Sequence, residues 1–234
     1  MSKLDTTLLR ESLDNILAFS KGEKITVNEK EIQGKKRNFL ESIELQITLK
    51  NYDVKKDKRF SGAVRLPNLA RETMKLCVIG TEVHCQEARE AGIDALGLED
   101  LKKYLVPDKK LKMKMGKQLA QKYTGFLASA SMVRQIPKYL GPSLQKAGKF
   151  PAVIQKGDTI LEKVAELKST VRYQLKKRPL FNVVVGHVNM ETKDIEQNTR
   201  MAMNYLVSLL KKHWQNIKVA YLKSSMGPSF QIYF

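Results

Sequence analysis

The feature that most constrains the fold is a regular alternation of polar and apolar residues from Ser42 to Leu49, within the segment that starts at Phe39. The apolar positions are Ile43, Leu45, Ile47 and Leu49, and the polar ones between them are Glu44, Gln46 and Thr48. Period-two patterning predicts a β-strand in a sheet with one buried and one solvated face. Phe39, at the start of the segment, has two interpretations that stay open, a core residue or an exposed contact.

A second alternating pattern occupies the end of the chain. Residues 217–223 and 229–234 alternate on either side of the segment 224–228, which predicts two strands joined by a tight loop. We expect Ile217, Val219 and Tyr221 to share one face, and Phe230, Ile232 and Phe234 to share another. Gly227 is compatible with a positive φ, and the residue before Pro228 is restricted. The loop should therefore be a stiff bend with exposed backbone groups and two hydroxyls, although a simple hairpin turn is the alternative.

The middle of the chain has a different character from its two ends. Residues 74–80 form a continuous apolar run, which is typical of a buried parallel strand. Strand-like and helix-like segments alternate after it, which favours a layered α/β domain. This domain is predicted to span residues 68–158.

The two ends are predicted to form one α+β domain together, from residues 1–67 and 159–234. Its sheet should be antiparallel-rich and covered by two helices, one ending near Gly22 and one starting near Glu191. The polar, basic residues 23–38 are interpreted as a solvated loop. Two crossings between the domains, near Pro67 and Gly157, would form a double hinge that permits domain closure.

The charge of the chain indicates a polyanionic partner. The formal net charge is +18 and the pI is about 9.8, and a chain this basic most often binds nucleic acid. No acidic residue occurs between Asp108 and Asp158. The basic residues of this segment repel one another unless an anionic partner neutralises them. The alternative is that these basic residues form a solvated face without a partner. The basic residues are not set along one amphipathic helix and no apolar run could span a bilayer, so no membrane partner is expected.

No catalytic, metal or cofactor site is predicted. The chain lacks a G-x-G-x-x-G motif and a P-loop, and His84, His187 and His213 have no neighbouring nucleophile or carboxylate pattern. Cys77 and Cys85 with His84 supply too few ligands for zinc, and Cys77 is expected to be a buried hydrophobe. The first residues contain no apolar signal core, which predicts a cytosolic protein.

Several short motifs occur in one order along the chain. They are Asn38-Phe39, residues 62–67, Leu140-Gly141-Pro142, Val185-Gly186 with Met190, and Ser225-Met226-Gly227-Pro228. Together they resemble the large-subunit ribosomal protein L-one family over nearly the whole chain. The short N-terminus and the form Arg37-Asn38-Phe39 are more similar to the eukaryotic than to the bacterial members.

The resemblance implies an α+β RNA-binding domain with an inserted Rossmann-like, three-layer domain. It also implies a structural protein that binds the stalk region of large-subunit ribosomal RNA and assists the release of deacylated tRNA from the exit site. The expected partners are thus ribosomal RNA, exit-site tRNA and the ribosome, with a monomer off the ribosome and nucleolar passage during assembly. A ribosome-assembly factor, or another folded-RNA-binding protein of the same fold without a stalk role, is the alternative.

The resemblance places Asn38 and Phe39 at the RNA, beside the loop 224–228 and with Gly186 next to them. Polar residues on the open face of the sheet are included among the predicted contacts, because folded RNA presents a shallow minor groove that polar side chains can recognise. The predicted RNA-binding residues are Arg37, Asn38, Phe39, Glu44, Thr48, Gly186, Lys223, Ser224, Ser225, Met226, Gly227 and Pro228. Lysines between 109 and 117 are expected to add salt-sensitive attraction to phosphates.

Overall fold

A computed structural model describes residues 4–27, 30–54, 56–57, 60–155, 157–175 and 178–234 of the protein. The chain divides into two compact units, one made of Met1–Arg71 with Ser169–Phe234 and the other of Glu72–Lys168. The content is mixed α/β, with antiparallel sheets in the first unit and a parallel sheet in the second.

The helices and strands follow one another along the chain in three groups. The first segment of the first unit contains α1 (Thr6–Lys21), β1 (Lys24–Val27), β2 (Lys30–Gln33), β3 (Ser42–Leu49) and β4 (Ser61–Arg65). The second unit contains β5 (Leu76–Ile79), α2 (Glu82–Glu90), β6 (Asp94–Leu96), α3 (Leu98–Lys102), α4 (Lys109–Lys122), β7 (Gly125–Ser129), α5 (Ala130–Val133), α6 (Ile136–Leu140), α7 (Ser143–Lys146), β8 (Ala152–Ile154) and α8 (Ile160–Ser169). The first unit then resumes with β9 (Thr170–Gln174), β10 (Leu180–His187), α9 (Thr192–Leu209), a 3-10 turn (His213–Asn216), β11 (Ile217–Ser224) and β12 (Ser229–Tyr233).

The main sheet of the first unit has the strand order β10-β3-β11-β12, and every neighbouring pair is antiparallel. The predicted alternation in β3 is confirmed, because Ile43, Leu45, Ile47 and Leu49 are all buried. The strand begins at Ser42, three residues after Phe39. Helices α1 and α9 pack against the buried face and complete one hydrophobic core with it.

Helix α1 ends, and helix α9 begins, where the sequence indicates. The Asp5 carboxylate accepts the Thr7 N–H at 3.0 Å, which satisfies one free donor at the start of α1. Gly22 ends this helix with φ of 99°, a conformation that favours glycine. Glu196 on α9 is buried and paired with Arg10 on α1 at 2.8 Å and with Arg200 at 2.7 Å, so the two helices are joined by charge as well as by packing.

The predicted face assignment of the last hairpin is wrong at its first strand. Ala220, Leu222 and Ser224 point inward, whereas Val219 and Tyr221 are only half-buried. The register of β11 against β3 shifts between Ile217 and Val219. This β-bulge adds one residue and reverses the alternation, so Ile217 no longer predicts the face of the residues after it.

The interpretation of residues 23–38 as a solvated loop is also wrong. Strands β1 and β2 pair there as an antiparallel hairpin, with Ile25 directly opposite Ile32. Charged residues surround this apolar pair, so the composition of the segment does not indicate a strand. Strand β9, which pairs with β4, is a further element that the sequence patterns did not indicate.

A buried amide fixes the chain where it leaves the first unit. The Asn198 side chain on α9 is fully buried; its Nδ2 donates to the Val185 carbonyl oxygen at 2.8 Å and to the Asn68 carbonyl oxygen at 3.2 Å. Its Oδ1 accepts the Asn68 N–H at 3.2 Å. Both the NH2 group and the carbonyl oxygen of this buried side chain are therefore hydrogen-bonded. These bonds hold residue 68 against α9 and β10.

The second unit is built on a four-stranded parallel sheet in the order β6-β5-β7-β8. Side chains alternate between two cores on its opposite faces. One core joins Cys77, Ile79 and Phe126 to residues of α3, α4, α6 and α7. The other joins Leu76, Val78 and Leu127 to α2 and α8. Because Ile160 and Val164 of α8 belong to this second core, the unit extends to Lys168, beyond the expected crossing near Gly157.

Cys77, Cys85 and His84 contribute to the packing of the second unit. Cys77 and Cys85 are free and buried, and burial raises the pKa of the Cys77 thiol to about 12. The sequence shows no nucleophile pattern beside His84, but the fold brings Ser129 to it, with His84 Nδ1 2.7 Å from Ser129 Oγ. Ser129 is buried and its Oγ also accepts the Thr81 N–H at 3.3 Å, so this pair braces the end of β7 against α2.

Neither a metal cluster nor a membrane-spanning helix is found among the described residues. No group of three or more His, Cys, Asp or Glu side chains in that part of the chain could hold a metal ion. No helix within it has both the length and the apolar character needed to cross a bilayer.

Replacing Asn198 with leucine should lower the free energy of unfolding of the first unit by about 2–4 kcal/mol, because the buried carbonyl of Val185 and the half-buried backbone groups of Asn68 lose their hydrogen bonds. Urea unfolding followed by the fluorescence of Trp214, the single tryptophan and a residue of the first unit, measures this change. The control is Asn204→Leu at an exposed position of the same helix, which should change stability by less than about 0.5 kcal/mol. Equal effects of the two variants would contradict the assignment.

Candidate nucleic-acid interface

Three segments meet at one end of the main sheet of the first unit. Because β3 runs antiparallel to both β10 and β11, its first residues lie beside the last residues of those two strands. Gly186 and Ser224 pair with Ile43 from its two sides, and His187 pairs with Ser42. The end of the sheet is thus formed by residues 37–42, the turn 187–190 after β10 and the loop 225–228.

Ser225 continues the sheet pairing through its side chain. Its Oγ accepts the Ser42 N–H at 3.2 Å and donates to the Ser42 carbonyl oxygen at 3.3 Å. One hydroxyl therefore satisfies both backbone groups of the first residue of β3. The predicted contact residue Ser225 positions the loop, and its hydroxyl is already engaged within the protein.

Glu41 joins the loop to the turn on the other side of β3. Its Oε2 accepts the Met226 N–H at 3.2 Å, and its backbone carbonyl accepts the Val188 N–H at 3.1 Å. The side chain is only 3% exposed. A carboxylate removed from water is stable only when it is hydrogen-bonded, so this glutamate is committed to holding the site together.

The sequence analysis missed Glu41, although a signal was present. In the alternating pattern, Glu41 has the same odd parity as Ile43 and Leu45, which face the core. A carboxylate at an inward-facing position indicates a specific partner, because charged groups are rarely buried unpaired. The partner itself, a backbone N–H in a loop 185 residues further on, cannot be read from the pattern.

Two apolar side chains stand exposed around this framework. Phe39 and Met226 each have 55% of their surface exposed. Phe39 is not a core residue, because it lies in a bend before β3 rather than within the strand. Both side chains are therefore available for contact with a partner.

Gly227 is required by space rather than by a positive φ. A Cβ at this position would lie 2.4 Å from Ser224 Oγ, which is too close, and 3.3 Å from Phe19 Cδ1, where the ring would have to shift by a few tenths of an ångström. Its φ is not among the positive values of the chain. Ser224 itself is buried, so the expectation of two exposed hydroxyls in this loop is wrong. The bulge in β11 turns the Ser224 side chain inward.

The polar face of the sheet carries the remaining predicted residues. Glu44 lies opposite Lys223 in the register, and Asn182 Nδ2 donates to Glu44 Oε2 at 3.5 Å. Thr48 pairs with Leu180 and Val219, near the other end of β3. Four residues of strand separate it from Glu44, about 13 Å, so Thr48 does not belong to the cluster around the loop.

A groove of about 1000 Å³ lies beside the loop 225–228, between the end of α1, residues 36–41 and the turn 188–190. Its cationic side chains are Lys21, Lys36 and Arg37. Lys21 is the last residue of α1, and Lys36 and Arg37 follow the unpredicted hairpin β1–β2. The Gly34 N–H donates to the Glu23 carbonyl oxygen at 3.0 Å, and a Cβ on Gly34 would lie 2.5 Å from the Phe19 carbonyl oxygen. This close approach fixes residues 34–36 against the end of α1.

The site as a whole has the chemistry of an RNA surface. Cationic side chains suit phosphates, exposed Phe39 and Met226 suit ribose or base faces, and backbone and amide groups suit base edges. The buried Glu41 is the only acidic side chain among the residues that line the groove. At this end of the sheet lie eleven of the twelve predicted residues, including Glu44 as the register partner of Lys223, whereas Thr48 lies towards the other end of β3.

Comparison with known proteins gives the family of the chain. A family model described as the ribosomal protein L1p/L10e family matches residues 29–228. The chain is 48% identical to large ribosomal subunit protein uL1z of Arabidopsis thaliana over 233 residues, which cover 100% of both chains. It is 50% identical to large ribosomal subunit protein uL1 of Drosophila melanogaster over 85% of this chain and 89% of that protein. With uL1 of Candida albicans it shares 45% identity over 100% of both chains.

Removing the carboxylate in Glu41→Ala should speed hydrogen exchange of the Met226 amide and lower the free energy of unfolding of the first unit by about 1–3 kcal/mol, because a buried N–H loses its acceptor. Amide exchange by NMR and urea unfolding measure the two effects. Glu44→Ala, three residues along the same segment, should leave the exchange of Met226 unchanged. If Met226 stays as protected in Glu41→Ala as in the unmodified protein, Glu41 does not hold the loop.

Proposed function

The chain belongs to the ribosomal protein L1p/L10e family, and from this premise we propose that it is a structural constituent of the large ribosomal subunit that binds ribosomal RNA. The family and the names of the relatives indicate a ribosomal protein and not an enzyme. The similar eukaryotic proteins agree with the eukaryotic form that the sequence motifs indicate.

The observation that carries the proposal is the exposed Met226 loop and its attachment to β3. Ser225 and Glu41 fix the loop on two sides, so Met226 is presented on a rigid base. A preformed surface loses little conformational entropy on binding. Such a surface suits a folded RNA, which is recognised by shape and by ribose contacts more than by a helix in a groove.

We propose more specifically that the RNA is the stalk region of the large-subunit ribosomal RNA and that the protein assists the release of deacylated tRNA from the exit site. The first unit would be the RNA-binding domain and the second an inserted Rossmann-like domain. The parallel sheet with helices on both faces supports the second part of this assignment. The segments around residues 71 and 168, where the chain passes between the two units, would serve as the double hinge during stalk movement in place of the expected crossings near Pro67 and Gly157.

The remaining partners and locations follow from the same proposal. The protein would act as a monomer off the ribosome, pass through the nucleolus during assembly and function on cytoplasmic ribosomes. The net charge of +18 supports contact with RNA phosphates in both units. Contacts of that type attract any RNA and weaken with salt, so they cannot supply the preference for one RNA.

The variant Met226→Asp should weaken binding to the stalk RNA fragment by at least about tenfold, or about 1.4 kcal/mol, because it places a carboxylate against the RNA. Binding is measured over a salt series, with an unrelated folded RNA of equal length in parallel. The unmodified protein should prefer the stalk RNA at high salt, and Met226→Asp should abolish most of that preference.

Met201→Asp is the matched control, since Met201 is an exposed methionine of the same unit on α9. It should leave the preference for the stalk RNA intact. If the unmodified protein binds both RNAs equally and both complexes dissociate together as salt rises, the protein is a basic surface without RNA specificity. The proposed function would then be wrong.

A further inference from the structure

The groove beside the Met226 loop (residues 225–228) contains potential binding groups that the loop itself lacks. Its volume of about 1000 Å³ is at the upper end of the range of about 300–1,000 Å³ for small-ligand sites. Three chemical types line it: the cations Lys36 and Arg37, the amides Asn38 and Asn189, and the exposed ring of Phe39.

We propose that this groove binds a single nucleotide that is turned out of its stack in the RNA. The inference rests on the proposed function, because the Met226 loop would bring the RNA to the edge of the groove. The phosphate would lie on Lys36 and Arg37, and the base would stack on Phe39. Unstacked bases in RNA are commonly held by aromatic side chains and read at their edges by polar groups.

The cations at the groove are available for a phosphate. Lys21 and Lys36 are exposed, and the described residues place no acidic side chain within salt-bridge distance of Lys21, Lys36 or Arg37. Arg37 Nε is enclosed and has no hydrogen-bond partner among the described residues, so it retains an unused donor. A charged donor of this kind favours an anionic acceptor.

The floor of the groove supplies the complementary group. Glu41 is buried; one carboxylate oxygen accepts the Met226 N–H, and the other, Oε1, has no hydrogen-bond partner in the ranges that the structure describes. An unpaired buried oxygen of this kind is costly and favours a ligand that donates a hydrogen bond. Base edges and the ribose 2′-hydroxyl both carry such donors. The groove thus combines an anion-binding rim with an acceptor floor, which a bare phosphate does not satisfy.

Free nucleotides separate this site from the loop. The isotope-labelled, full-length protein is titrated with each of the four nucleoside 5′-monophosphates, with ribose 5-phosphate and with inorganic phosphate. Backbone amide signals of Asn38, Phe39 and Asn189 should shift with the nucleotides. Ribose 5-phosphate and phosphate should bind at least about tenfold more weakly, since they lack a base that can stack on Phe39.

Two variants test the assigned roles. Lys36→Glu should weaken nucleotide binding by at least about fivefold through loss of a charged phosphate contact of about 1 kcal/mol or more. Lys24→Glu, an exposed lysine of the same hairpin that does not line the groove, should change it by less than about twofold. Phe39→Ala should reduce nucleotide binding towards that of ribose 5-phosphate, and Trp214 fluorescence verifies that each variant is folded.

The outcomes are distinguishable from failure of the proposed function. Equal shifts with nucleotide and inorganic phosphate would show an anion patch that does not hold a base, and would overturn the inference. Absence of any shift would overturn it as well, even if stalk RNA still binds in a Met226-dependent manner. Nucleotide binding that persists in Met226→Asp, in a protein with no preference for stalk RNA, would sustain the groove and reject the ribosomal role.

Discussion

The pairing of β3 with β10 on one side and β11 on the other is the constraint on which the first unit depends. The central strand comes from the first fifth of the chain, and both of its neighbours come from the last quarter. Its inward side chains, from Ile43 to Leu49, contact helices from both ends of the sequence. The second unit is compatible with this arrangement because it has two hydrophobic cores of its own within residues 72–168.

The candidate site depends on the same antiparallel arrangement. Where β3 begins, two strands end, so three irregular segments leave the sheet at one place. Irregular segments expose backbone groups that need partners. Glu41 and Ser225 supply those partners, the first with a carboxylate and a carbonyl, the second with one hydroxyl. The surface that faces outward is consequently left to Phe39, Met226 and the cations of the groove.

Much of the framework was predictable from the sequence, and the reasons are local. Alternation in β3, the end of α1 at Gly22 and the apolar run of β5 each follow from a few adjacent residues, and all are confirmed. The family was also predictable, because its motifs keep their order along the chain, and the comparisons confirm it. The roles proposed for the individual RNA-binding residues stay predictions.

What could not be predicted arises from contacts between distant residues or from single insertions in a pattern. One bulge after Ile217 reverses the faces of β11 and turns Ser224 inward. The hairpin β1–β2 lies within a charged segment in which only the pair Ile25 and Ile32 brings two apolar residues opposite each other. Met226 receives its acceptor from the other end of the chain, at a distance in sequence that no local pattern encodes.

The position of β3 in the sequence also affects the order in which the two units can fold during synthesis. During synthesis this strand emerges long before β10 and β11, with all of residues 72–168 in between. At about 5–20 residues per second, it spends several seconds as an unpaired apolar strand. The second unit is continuous in sequence and has a complete sheet by then, whereas the first unit cannot close until the last two strands are released. A nascent chain of this protein therefore completes its inserted part first and its terminal part last.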